Sequence, residues 1–271
     1  MSRALLAVGA LALCVLTEPA GAAPCGSSGA GFGPWLEDFK REALAQGFSP
    51  KTLDAALAGV SYDRRVIGRD RGQRIFRQSF ETFSSRLVTP GRLSKGRTML
   101  QRHAALLRRI EAQYGVPGPV LVAIWGLETG FGADNGRFRT TQALATLAYD
   151  CRRSAQFQEE LRDALTIVER GDMSPAQMRG DWAGEIGQTQ FMPSSYLKFG
   201  VDFDGDGRRD LIRSTPDALA STANFLKGKG WRTGAGWNEG EPNFAVFLEW
   251  NKARVYAKTI ALLATKLNQA P

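Results

Sequence analysis

The run Val120-Leu121-Val122-Ala123-Ile124-Trp125-Gly126-Leu127 carries no charge and ends on one carboxylate, Glu128, which is followed by Thr129-Gly130-Phe131-Gly132. In a chain with 23% charged residues, this stretch constrains the fold more than any other, because it has to be covered by apolar neighbours. Its spacing predicts an apolar helix from Pro119 to Glu128. A glutamate at the end of such a helix, between Trp125 and Phe131, is partly desolvated and meets the negative end of the helix dipole. Both effects favour the protonated carboxyl, the state a general acid requires near neutral pH. A glutamate that merely caps or salt-bridges the helix end would occupy the same place, so position alone leaves both readings open.

Around this segment the pattern is helical. Trp35, Leu36, Phe39, Ala43 and Leu44 share a face, with Gly47 placed to end the segment. Ser49-Pro50 reads as an N-cap with proline at the first helical position, opening a helix through Val60. Further helices are expected over a basic segment carrying Leu100 to Tyr114, over 141–149, 156–170, 217–227 and 253–267. The one β-like run is Phe244 to Trp250, and long loops are expected at 129–140, 171–215 and 228–243. Length and a 43% hydrophobic content suit a folded, mainly α protein with a minor β element.

The first residues have a separate logic. Arg3, the apolar run Leu5 to Leu16 and the small residues Gly21-Ala22-Ala23 form the layout of a secretory signal peptide over 1–23, with a retained anchor as the other reading. Cys14 and Cys25 follow Leu13 and Pro24, so neither sits in a lipid-attachment pattern. Cleavage near Ala23 removes Arg3 and Glu18 and leaves the net charge at +8. A basic surface suits polyanions, and export argues against nucleic acid among them. A periplasmic or secreted protein retaining Cys25 and Cys151 is expected to pair them in a disulfide, with two separate buried thiols as the alternative.

Few side chains are available for chemistry. His103, the sole histidine, lies on the basic helix with no nucleophile motif and reads as a surface residue; with the cysteines it makes no zinc spacing. The loop Gly184-Glu185-Ile186-Gly187-Gln188-Thr189-Gln190-Phe191-Met192-Pro193-Ser194-Ser195-Tyr196 combines glycines with amides and hydroxyls suited to sugar groups. Asp202-Phe203-Asp204-Gly205-Asp206-Gly207-Arg208 repeats the first half of an EF-hand calcium loop, but Arg213 stands where the bidentate glutamate belongs. Asp217 can substitute if the loop is longer; a solvated acidic turn is the other reading.

Four separated stretches, 125–132, 190–196, 201–207 and 223–231, together resemble the lytic murein transglycosylase B family over roughly residues 35–267. The resemblance implies a lysozyme-like helical core at about 116–235, preceded by a helical part at about 32–115 and completed by a segment at about 236–267. It implies that Glu128 is the catalytic acid and base, and that Arg152, Arg153, Asp181, Gln190, Asn251 and Tyr256 hold glycan or surround the acid. It also implies a structural calcium bound by Asp202, Asp204, Asp206, the Arg208 carbonyl and Asp217, with no organic cofactor. The implied partners are peptidoglycan glycan strands and, beyond them, cell-wall synthesis proteins. Two positions depart from the family pattern: Asp181 stands where a serine is usual, and Phe225 replaces a cleft tyrosine. Glu185 adds a further carboxylate. An inverting muramidase using Glu128 with Asp181 or Glu185, and a non-catalytic wall-binding protein, are the competing functions.

Overall fold

The computed structural model describes residues 24–72 and 78–269; the expected signal peptide lies outside the described residues. These form thirteen α-helices and one two-stranded antiparallel ladder. No helix among the described residues is long and apolar enough to cross a membrane.

The apolar run forms α7 (Gly118–Thr129), in which Val120 through Ile124 have no exposed surface. A helix apolar on every side belongs at the centre of a fold. The helix α13 (Arg254–Asn268) packs along it, as do α5 (Pro90–Arg102), α6 (Ala104–Tyr114) and α11 (Thr215–Gly228). Gly130 ends α7 in the left-handed conformation, and the Lys95 ammonium donates to its carbonyl. A second packed group joins α1 (Phe32–Ala45), α2 (Pro50–Leu57), α3 (Arg64–Arg71), α8 (Thr140–Tyr149) and α9 (Ser154–Glu169). Helix α4 (Phe80–Leu87) packs on α13. Short helices α10 (Pro193–Phe199) and α12 (Phe244–Trp250) close the periphery.

Several expectations change. Phe244 to Trp250 is helix, not strand: Phe244, Phe247 and Trp250 recur every three residues, and the two phenylalanines are buried. The strands are β1 (Phe138–Arg139) and β2 (Arg179–Gly180), each too short to leave a period-two signature. The basic segment breaks at His103, whose ψ of 19° departs from helix, separating α5 from α6. His103 is not a free surface side chain; it packs edge-on against Trp125 at 5.6 Å. The expected loop at 171–215 contains β2 and α10.

Cys25 and Cys151 are bonded. The chain near Gly26 docks beside the end of α8, where the Gly26 amide donates to the Tyr149 carbonyl at 2.9 Å and the Cys151 amide donates to the Gly26 carbonyl at 3.3 Å. A side chain on Gly26 would overlap the Tyr149 hydroxyl, so this close approach requires glycine.

Candidate active site

Glu128 sits one residue from the C-terminus of α7, partly buried, where the helix opens into a cleft. Two cavities of about 230 and 220 Å³ flank it, and both are lined by Glu128, Glu185 and Gln190. The first is also lined by Phe191, Met192, Ser195, Phe225, Glu249, Trp250 and Asn251, and the second by Asp134, Gly136 and Asp181. A larger cavity of about 840 Å³ lies against the 200–213 loop and is not lined by Glu128.

One oxygen of Glu128 is fixed from two sides. The Trp250 indole Nε1 donates to Oε1 at 2.8 Å, and the Tyr256 hydroxyl donates to the same atom at 2.9 Å. An oxygen that accepts two donors is a poor place for a proton, so in the acid form Oε2 carries it. Burial raises the Glu128 pKa to about 7, the two donors pull it down, and the Asp181 charge adds a further upward push. Desolvation wins over the two hydrogen bonds. Trp250 is held by aromatic edges: its ring lies 5.1 Å from Phe225 and 5.6 Å from Phe191. Phe225, which has no hydroxyl to offer a ligand, is mostly buried and serves to orient that indole.

Glu185 shares both cavities. Burial raises its pKa to about 8, with Asp181 and Glu128 adding to the rise, while its Oε2 accepts from the Ala183 amide at 3.0 Å. A protonated Glu185 cannot serve as the ionised base that an inverting hydrolase needs. Asp181 is exposed at the rim of the second cavity.

Gln190 is a knot in the cleft wall. Its φ of 54° is left-handed, which is uncommon outside glycine and marks a constrained position. Its Oε1 accepts from the Asp181 amide at 2.8 Å, and its Nε2 donates to the carbonyls of Gly187 at 2.7 Å and Asn135 at 3.0 Å. With both amide hydrogens committed, this side chain shapes the cleft rather than offering donors to a ligand. Asn251 lines the first cavity, and its Oδ1 accepts from the Ala253 amide at the start of α13. The structure does not bring Arg152 and Arg153 to either cavity; both pair with the buried Asp70 beside the disulfide. Sequence reasoning missed Trp250, whose signal was an indole N–H needing a partner one residue before Asn251.

The aspartate loop folds as a unit. Asp202, Asp204 and Asp217 offer oxygens within 4.8 Å of one another, and Asp217 has no exposed surface. Asp217 accepts from the amides of Phe203 at 2.8 Å and Asp210 at 2.9 Å. Asp206 stands outside this group, exposed, accepting from the Arg208 amide at 2.9 Å. Three converging carboxylates, one fully buried, make a donor set that fits a hard cation. The following residues reach the cleft: the Ile212 carbonyl accepts from Gln188 Nε2 at 3.2 Å and from Asn135 Nδ2 at 3.3 Å. Gln188 and Asn135 flank the Gln190 knot.

Residues 31–240 match the transglycosylase SLT domain. The chain belongs to that family. It is similar to the membrane-bound lytic murein transglycosylase B of Escherichia coli strain K12, with 37% identity over 153 residues. That match takes in 56% of this chain and 42% of the relative, so it spans less than half of that protein's length. The structure of SltB3 from Pseudomonas aeruginosa in complex with NAG-NAM-pentapeptide superposes with a TM-score of 0.83 at 32% identity, covering 89% of this chain and 81% of that one. The Escherichia coli lytic transglycosylase Slt35 in complex with calcium has the same fold, with a TM-score of 0.76, 24% identity, and 90% and 96% coverage.

Glu128 and Glu185 give stability an unusual pH dependence. Both hold their protons at about 7 and about 8 in the fold, against 4.5 for an ordinary glutamate. The unfolded chain loses those protons first, so their favourable contribution is complete below about pH 4.5 and disappears as pH rises to 8. Glu128 alone accounts for up to about 3 kcal/mol. Glu185→Gln is expected to raise the melting temperature at pH 8 and flatten its decline from pH 5. A decline as steep as that of the unmodified chain would contradict this assignment.

Proposed function

We propose that this protein is an exported lytic transglycosylase that cleaves the β-1,4 bond between N-acetylmuramic acid and N-acetylglucosamine in peptidoglycan. The observation that carries the reading is the desolvated carboxyl of Glu128, protonated up to about pH 7, with one oxygen locked by Trp250 and Tyr256.

Glu128 Oε2 donates its proton to the glycosidic oxygen as the bond to the muramic acid C1 breaks. The 2-acetamido group of that sugar stabilises the positive character at C1. The carboxylate left behind is the state that the Trp250 and Tyr256 donors favour. It then removes the proton from the C6 hydroxyl of the same sugar, and O6 closes on C1. The product is a 1,6-anhydro-muramic acid end, and Glu128 is again protonated. No water is consumed, and no second ionised carboxylate is needed. Asn251 and Asp181 line the two cavities, and in this reading they meet the sugars on either side of the bond. Arg152 and Arg153, anchored on Asp70, act on the fold around the disulfide.

Glu128→Gln is expected to abolish cleavage of purified sacculi while leaving the fold intact, and the unmodified chain is expected to release anhydro-ended muropeptides by mass spectrometry. Reducing ends in place of anhydro ends would replace this reading with a muramidase using Asp181. Absence of any cleavage would leave a wall-binding protein.

Asp202, Asp204 and Asp217 are proposed to hold a structural calcium, which would neutralise the buried Asp217 and keep residues 202–212 rigid. Through the Ile212 carbonyl, that rigidity extends to Gln188 and Asn135. Chelation is expected to lower the melting temperature, and added calcium to restore it. An identical melt in metal-depleted and calcium-loaded samples would count against the site.

A further inference from the structure

Beside the catalytic cleft lies a further cavity, about 260 Å³, lined by Arg65, Arg137, Arg139 and Arg179 together with Phe138 and a single acid, Asp63. Asp63 is committed to Arg65, accepting from its Nη2 at 2.7 Å and its Nε at 3.1 Å. The other three arginines have no ion pair among the described residues. Arg139 reaches the Ala58 carbonyl at 3.5 Å, and Arg179 reaches the Arg137 carbonyl at 3.4 Å; both bonds are long.

The backbone sets two of these charges against each other. In the β1–β2 ladder Arg139 lies directly opposite Arg179. Like charges at facing positions destabilise a strand pair, and this ladder is only two residues long, so nothing in its own packing recommends the arrangement. An anion between the two guanidinium groups would turn the repulsion into attraction.

The same ladder adjoins the cleft. β1 follows Gly136 and β2 precedes Asp181, and both of those residues line the cavity that contains Glu128. A side chain on Gly136 would lie 2.1 Å from the Gly180 carbonyl, and one on Gly180 would lie 1.8 Å from the Glu185 carbonyl. These backbones therefore meet without side chains between them, where the ladder joins segments that line the acidic cleft to segments that line the basic cavity. The charges are segregated: Asp134 and Asp181 on one side, next to the protonated Glu128 and Glu185, and on the other the arginines with Asp63 already paired to Arg65.

A glycan strand is neutral along its sugar rings and carries its negative charge on the carboxylates of the peptides attached to muramic acid. The acidic cleft repels such groups, whereas arginine forks match carboxylates in geometry as well as charge. We propose that the Arg137–Arg139–Arg179 cavity binds the carboxylates of a peptide stem on the strand held in the cleft, and so makes the protein prefer peptide-bearing over bare glycan. This rests on peptidoglycan being the ligand of the cleft.

The test uses the whole chain carrying Glu128→Gln, so that strands are bound and not cut. Affinity is measured by fluorescence anisotropy for soluble uncrosslinked glycan strands that bear peptide stems, for strands whose stem carboxylates are amidated, and for strands stripped of peptides by an amidase. Arg139→Gln and Arg179→Gln are each expected to lower the ratio of affinities for peptide-bearing over stripped strands about tenfold, as expected for loss of a charged hydrogen-bonding partner. Amidation is expected to produce the same loss without mutation. A ratio that survives both substitutions, or equal weakening on both strands, would overturn the proposal. Arg179 is exposed, so Arg179→Gln decides the matter if Arg139→Gln fails to fold. Strand binding that depends on these arginines, without anhydro products from the unmodified chain, would refute the transglycosylase reading and leave this one standing.

Discussion

The structure turns on keeping one carboxyl group out of water at the end of a helix that carries no other charged side chain. Helix α7 is surrounded because it is apolar all round, and its burial carries Glu128 to the base of the cleft. Desolvation there outweighs two direct hydrogen bonds, which sets the group's proton affinity near neutrality. The two donors are not wasted by losing that contest. By occupying Oε1 they direct the proton to Oε2, and they wait for the charge that appears once the proton has gone. A single carboxyl that acts first as acid and then as base needs both properties.

Holding that geometry takes elements distant in sequence. Trp250 and Tyr256 come from α12 and α13, while the opposite wall comes from the 184–191 loop. Gln190 is held in a left-handed conformation by three backbone bonds, and its neighbours hang from the Ile212 carbonyl at the end of the aspartate loop. The chain thus links a cation-suited loop to the shape of the cleft through two side-chain amides, those of Gln188 and Asn135, on one backbone carbonyl. The buried acids Glu128 and Glu185 cost stability when ionised, a burden placed at the functional site and carried by the packed helices around it.

Much of this was legible in the sequence because it rests on local patterns. The uncharged run announced α7 and its terminal glutamate, and alternating aspartates announced the 202–206 turn. The caps at Ser49 and the helical mainframe followed from spacing. What was not legible depends on contacts across the chain. Phe244 to Trp250 fits two periods equally well over so short a length, and tertiary packing selects the helix. The role of Trp250 is invisible without knowing that α12 reaches the end of α7. Gln190 looked like a sugar ligand from its side chain, yet backbone bonds within the fold consume its amide. Arg152 and Arg153 were legible as charges but not as partners of Asp70, some eighty residues earlier. The facing arginines of the β ladder follow from a register that two-residue strands cannot encode locally.

The central claim is that burial, not a neighbouring catalytic carboxylate, makes Glu128 an acid at neutral pH. The most direct test is a titration of the glutamate side-chain carboxyl carbons by carbon-13 NMR, with the Glu128 signal assigned by its loss in Glu128→Gln. The account predicts a midpoint at about 7 that persists near that value in Asp181→Asn, since Asp181 is the smallest contributor to the rise. A midpoint close to the ordinary 4.5, or one that collapses to it in Asp181→Asn, would contradict the account.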